Sequence, residues 1–211
     1  KEEIARLLHF ETSTTAPGTE VTFPEYVSRM KPGQSNIYYL AAPSRQLAES
    51  SAYFEALKQK DVEVLFCFEP YDELVLSTLR QYEGKNVISV EKEMRQEKES
   101  VELDESVGEG SLSKKEAEEM ISWIQGTLGH KAAKVVITGR LDKHPCVVTV
   151  EEMAAARHFV RTQFSQIPEA TRYQLLQPQF EINPKHPVIV KLKTLKESNP
   201  RLATLVTEQL F

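Results

Sequence analysis

The residues of this 211-residue chain that could do chemistry are five scattered histidines, two cysteines and one acid-rich turn. His144 and Cys146 stand two apart in "DKHPCVVTV", and His186 stands in "FEINPKHPVIVKL". A cysteine beside a histidine can form an activated thiolate nucleophile. His144, His158 and His186 with a nearby carboxylate could hold a metal ion. One reading is therefore an independent small α/β enzyme using His144, Cys146 or His186. Several features weigh against it. Pro145 restricts the geometry between His144 and Cys146, and a cysteine followed by Val-Val reads as a core strand position. There is no His-x-x-x-His, no zinc-type cysteine pair and no glycine-rich phosphate loop. Glu69, Asp72 and Glu73 of "EPYDEL" could pair as general acids, but acids at a helix start are favoured by the helix dipole alone. Cys67 and Cys146 both lie in apolar runs and read as buried free thiols. "NPKHP" stays open at this point, either a reactive loop or a joint between a strand and a helix.

Composition narrows the classes. Apolar residues make up 40% and charged residues 27%, the balance of an ordinary globular protein. A net charge of −5 argues against a nucleic-acid partner, which needs concentrated Lys and Arg. No apolar run approaches the ~20 residues of a membrane span. The opening "KEEIARLLHF" is acidic where a signal peptide is basic, and reads as a helix already under way in a longer chain.

The elements that must position these residues follow from periodicity. Ile4, Leu7 and Leu8 predict an amphipathic helix over 1–12. Thr22, with Glu25 three residues on, predicts a capped helix over "FPEYVSRM". Then "NIYYLAA" reads as a strand, a helix opens at Pro43-Ser44, "VEVLFCFE" is a strand apolar on both faces, "PYDELVLSTLRQY" is a helix and "NVISVE" a strand. This alternation predicts a small three-layer α/β/α subdomain with a parallel sheet over 1–91. Residues 92–112 are highly charged, poor in large apolar residues and contain two glycines, so they read as a charged flexible linker. A mixed α+β domain follows over 113–211. Its helix "KKEAEEMISWIQGTLG" is capped by Ser113 with Glu116 and places Trp123 on the side of Met120 and Leu128. Further strands read at "AKVVITGRL", "PCVVTVEE" and "QFEINP". Two helices, "HPVIVKLKTLKES" and "RLATLVTEQLF", are separated by Asn199-Pro200. In the second, Leu202, Leu205, Val206, Leu210 and Phe211 form an apolar face. The helix over 152–164 is less regular. Met153, Phe159, Val160 and Phe164 do not make one clean stripe, and Arg157, His158 and Arg161 give the other side a cationic character. It is either packed entirely inside or partly exposed to grip apolar segments of another protein.

At this point the residues resemble a known family. "NIYYLAAPSRQLAESSAYFEALKQKDVEVLFCFEPYDELVLSTLRQYEGKNVISVEKE" is similar to the distal middle domain of the 90-kDa heat-shock chaperones. "GRLDKHPCVVTVEEM" and "LLQPQFEINPKHPVIVKL" resemble their C-terminal domain, in collinear order. "LAAPSRQLAESSAYFEALKQKD" and "MAAARHF" resemble the mitochondrial member. The resemblance implies part of an ATP-driven dimeric chaperone of the mitochondrial matrix that remodels partly folded client proteins. ATP and magnesium would belong to the parent protein, with the nucleotide site upstream of Lys1, and this part would hold no cofactor and no catalytic residue. The final dimerisation helices, which join a second protomer, would lie beyond Phe211. The resemblance also makes "EINP-x-H" a strand-to-helix joint, in which Pro184 and Pro187 set the turn and Asn183 or His186 caps the helix. The segment around Met153–Phe164 corresponds to the family's client-contacting helix. Met153, Phe159, Val160 and Phe164 are its client-binding candidates, and Arg157 and Arg161 stand where bacterial relatives are apolar.

Overall fold

A computed structural model describes residues 2–58, 60–69, 71–96, 110–150 and 168–211. The chain divides into two compact units, Lys1–Gln96 and Glu97–Phe211.

In the first unit, three strands pair in parallel at the centre of a mixed six-stranded sheet, formed among the described residues. These are β3 (Asn36–Ala41), β4 (Val64–Cys67) and β6 (Lys85–Ser89), with β3 between the other two. Antiparallel strands extend both edges. β1 (His9–Thr12) pairs with β4 and β2 (Glu20–Thr22), and β5 (Gln81–Tyr82) pairs with β6. The helix expected over 1–12 is α1 (Glu2–Ala5) followed by β1. Phe10 and Thr12 are buried on alternate positions of that strand, a period-2 pattern that four residues are too few to announce in sequence.

Because parallel strands need crossovers, helices cover both faces of this centre. Ile37, Tyr39, Leu65 and Cys67 pack with Phe23 and Tyr26 of α2 (Phe23–Arg29) and Leu76 of α5 (Asp72–Leu79). Tyr38, Leu40, Val64 and Phe66 pack with Ala48 of α3 (Arg45–Glu49), Leu57 of α4 (Ala52–Lys58) and Val90 of α6 (Val90–Gln96). Serine chemistry divides α3 from α4, where a single helix was expected. The Ser51 hydroxyl accepts from Phe54 N–H and donates to the Ala48 carbonyl. The capping box expected at Thr22 and Glu25 is formed.

The expected linker is bounded differently at both ends. Residues 92–96 belong to α6, where Met94 is buried, and Leu112 is buried with its N–H on the Pro184 carbonyl at 3.0 Å. Composition averaged over the stretch hid these two apolar anchors. Residues 97–109 lie outside the described ones.

The second unit carries a three-stranded sheet with β9 (Gln179–Ile182) at its centre. β9 runs parallel to β7 (Lys134–Ile137) and antiparallel to β8 (Cys146–Thr149). One face packs on α7 (Lys114–Leu128), α9 (Pro187–Ser198) and α10 (Pro200–Leu210). The core there joins Met120, Ile124, Phe180, Ile182, Ile189, Leu192 and Ala203. α8 (Glu169–Leu176) precedes β9. Ser113 and Glu116 form the expected capping box of α7, and Asn199 caps α10 with Pro200 in its first turn.

Candidate functional site

Asn183, Pro184, His186 and Pro187 come together as a single joint between β9 and α9. Asn183 is 2% exposed, and its whole amide is in use. Nδ2 donates to the carbonyls of Leu141 and His144 at 2.9 and 3.3 Å, while Oδ1 accepts from Lys185 N–H at 3.0 Å. Its backbone N–H reaches the Pro145 carbonyl at 2.8 Å. Asn183 therefore builds the turn and ties down the 141–145 loop, and the cap of α9 falls to His186. His186 Nδ1 accepts from Val188 N–H at 3.2 Å, and Nε2 lies 3.2 Å from the Lys143 carbonyl. A carbonyl can only accept and an N–H can only donate. Both contacts are satisfied together by the neutral ring with its proton on Nε2. Pro187 occupies the first helical turn, where no N–H is needed.

Next to the joint lies a buried ionic cluster that the sequence reading did not single out. β9 alternates, so Phe180 and Ile182 face the apolar core while Gln179 and Glu181 face the opposite side. Glu181 is 1% exposed. Its carboxylate accepts from Arg140 Nη2 at 3.0 Å, Gln179 Nε2 at 3.1 Å and the Thr149 hydroxyl at 3.3 Å. Arg140 also donates from Nε to the Thr138 hydroxyl at 3.4 Å. A buried carboxylate is tolerated because it is both paired and hydrogen-bonded. The signal in the sequence was a charge placed inside the strand pattern "QFEI", with an Arg in "TGRLD".

This geometry does not assemble the enzyme reading. The Cys146 thiol donates to the Leu210 carbonyl at 3.3 Å, and burial pushes its pKa up to about 11, so it stays protonated at neutral pH. His186 has both ring nitrogens engaged in the joint. Among the described residues, no group of three or more His, Cys, Asp or Glu is placed to hold a metal ion. Cys67 and Cys146 are free thiols, Cys67 buried and Cys146 half-buried. In the described residues no helix is long and apolar enough to cross a membrane.

Met153, Phe159, Val160 and Phe164 lie outside the described residues, as do Arg157, His158 and Arg161. The described residues carry apolar surface elsewhere. In the first unit, Ile4, Leu8, Tyr71, Leu74, Val75 and Leu79 line an open groove of about 390 Å³ between α1 and α5. Ile4 and Tyr71 are 69% and 73% exposed. In the second unit, the apolar face expected on α10 splits. Ala203 is buried in the core with Val206, Leu210 and Phe211 packed against it, while Leu202 and Leu205 remain exposed.

Comparison with known proteins agrees along the full length. The family model "Hsp90 protein" matches residues 1–211. The chain is 48% identical over 214 residues to "Heat shock protein 75 kDa, mitochondrial" of Rattus norvegicus. It is 34% identical over 213 residues to "TNF receptor-associated protein 1 homolog, mitochondrial" of Dictyostelium discoideum, and 32% identical over 219 residues to "Chaperone protein HtpG" of Desulfitobacterium hafniense. Each match covers 100% of this chain but only 30%, 29% and 33% of the respective relative. The chain thus spans about a third or less of the length of these relatives. With a family match that extends over residues 1–211, and so over both units, this chain belongs to the Hsp90 family.

Proposed function

We propose that this chain is the distal middle-domain subdomain and a partial C-terminal domain of an ATP-dependent chaperone of the mitochondrial matrix. In this reading it contacts partly folded client proteins and transmits conformational change between domains, while ATP and magnesium bind elsewhere in the parent protein. A second protomer would complete the working dimer. The observation that carries the reading is the family match over 1–211, with 48% identity to a relative named as a mitochondrial heat-shock protein. The protonated Cys146 thiol and the fully engaged His186 ring support a binding module over an independent enzyme. The client surface proposed is the Met153–Phe164 segment.

Two measurements test this. Calorimetry of the 211-residue chain with magnesium and ATP is expected to give no saturable heat, and micromolar binding would overturn the division of labour. The chain is also expected to suppress aggregation of a chemically unfolded client. Met153→Glu and Phe164→Glu should weaken that suppression and leave the melting temperature nearly unchanged. A charge forced into a fully packed site costs several kcal/mol. Collapse of the fold by both substitutions would therefore make the segment core and end the client-surface reading.

A further inference from the structure

We infer that His186 is a protonation-sensitive latch that fastens the 141–144 loop to the first turn of α9. The inference is independent of the chaperone reading, because it rests on the joint alone. The two ring nitrogens have opposite duties. Nδ1 must accept from Val188 N–H at 3.2 Å, and Nε2–H must donate to the Lys143 carbonyl at 3.2 Å. Only the neutral ring, in one of its two tautomers, does both. A proton added to Nδ1 turns the acceptor into a donor and sets it against the Val188 N–H. The cap at Val188 is then lost, while Nε2–H can still donate to the Lys143 carbonyl.

The ionisable side chains on the segments meeting at the ring are Arg140, Asp142, Lys143 and His144 of the loop, Glu181 of β9 and Lys185 of the turn. Glu181 is paired with Arg140 at 3.0 Å, and Asp142 is the one other acid on these described segments, which also carry Lys143, Lys185 and the positive end of α9. The 110–112 segment, which reaches the turn through Leu112 N–H to the Pro184 carbonyl, carries no ionisable side chain. Opening the latch does not release the whole loop. Asn183 still holds the carbonyls of Leu141 and His144. Acidification therefore frees the first turn of α9 from the ring, while the Nε2–H contact to Lys143, the sheet and the apolar core stay in place.

The test reads the ring and its partner directly in the 211-residue chain. Long-range proton–nitrogen correlation at about pH 8 is expected to show His186 as the Nε2–H tautomer. Between about pH 8 and pH 5.5, hydrogen-exchange protection of the Val188 amide, corrected for intrinsic exchange, should fall roughly fivefold, the factor that a capping bond of about 1 kcal/mol represents. The Ala117 amide, held by the Ser113 carbonyl at 2.9 Å in α7, is the internal reference and should not move with it. His186→Asn keeps an acceptor at the cap, cannot titrate and leaves His144 in place, so its Val188 protection should stay flat. His186→Phe should leave Val188 unprotected at both pH values. An Nδ1–H tautomer at the higher pH, or the same loss of protection in His186→Asn, overturns the latch. The tautomer measurement needs no variant to fold.

Discussion

At the centre of the first unit, β4 presents Val64, Leu65, Phe66 and Cys67 to two different apolar cores, and all four are buried. At the centre of the second, β9 presents Phe180 and Ile182 to an apolar core but Gln179 and Glu181 to a buried ionic cluster. Both strands are buried over most of their length, by different physics. Apolar burial is tolerant, since a related side chain of similar volume can take the place of another. A buried ion pair is exacting, since removing either partner strands the other without water. The second unit has thus placed its strictest requirement two residues before the joint that links its sheet to α9.

The largest expected effect breaks this contrast from the polar side. Glu181→Leu leaves Arg140 buried without its carboxylate and should cost about 3–5 kcal/mol. The double change Arg140→Met with Glu181→Leu should recover most of that, because a well-packed apolar pair can replace a buried ionic one. Denaturant unfolding followed by Trp123, the only tryptophan and a residue of the second unit, reads both variants. A single-variant cost below about 1 kcal/mol would mean that the pair behaves as a solvated surface bridge. In the first unit the corresponding test is Leu65→Ala, expected to cost about 2–5 kcal/mol by opening a cavity. Here a compensating change elsewhere should rescue nothing, and rescue by a distant charge substitution would contradict the contrast.

An intermediate effect belongs to the joint. Asn183→Ala removes two donors from the 141–145 loop and one acceptor from the turn, all buried or half-buried. A loss of about 1–3 kcal/mol should follow, the cost of leaving buried carbonyls without partners. Asn183→Asp is the sharper variant, because it keeps the acceptor for Lys185 N–H and loses both donors. Equal stability of Asn183→Asp and the natural chain would show that the loop does not depend on this side chain.

The smallest effect lies on the surface. The Lys193 ammonium, followed by the Ser113 backbone N–H, holds Glu116 down to about 2 from an ordinary 4.5. A depressed carboxylate contributes stability that is complete above its unfolded value and is lost as pH falls through its folded value. The window is therefore pH 4.5 down to about 2. Because both side chains keep an open side to solvent, 34% and 22% exposed, screening limits the contribution to at most about 1 kcal/mol. Lys193→Met should flatten the acid limb of the stability curve across that window, while the Ser113 contacts preserve part of it. An unchanged limb would remove Lys193 as the cause.

Much of this was legible in the residues. Thr22 with Glu25 and Ser113 with Glu116 announced their helix starts because a capping box is a purely local arrangement. "VLFC" read as a strand buried on both faces because no polar residue interrupts it. The family-level identity was also legible, since its motifs are linear. What escaped was short or distributed. β1 is four residues and β5 only two, each held in place by a neighbouring strand and too short to carry its own periodic signal. The groove lined by Ile4, Leu8, Tyr71 and Val75 joins residues almost seventy positions apart, and no local pattern encodes it.

For the joint itself, the sequence by itself determined the turn and the helix start. Pro184 and Pro187 fix backbone angles without reference to anything distant, and both Asn183 and His186 are chemically able to cap. Tertiary structure decided which of the two does so. Asn183 is drawn away by the Leu141 and His144 carbonyls, some forty residues earlier in the chain, and His186 is oriented by the Lys143 carbonyl on the same loop. A hydrogen bond between distant segments exists only after the chain has folded back on itself. The assignment of the cap, and with it the tautomer of His186, is thus a property of the packed unit and is not written in "NPKHP".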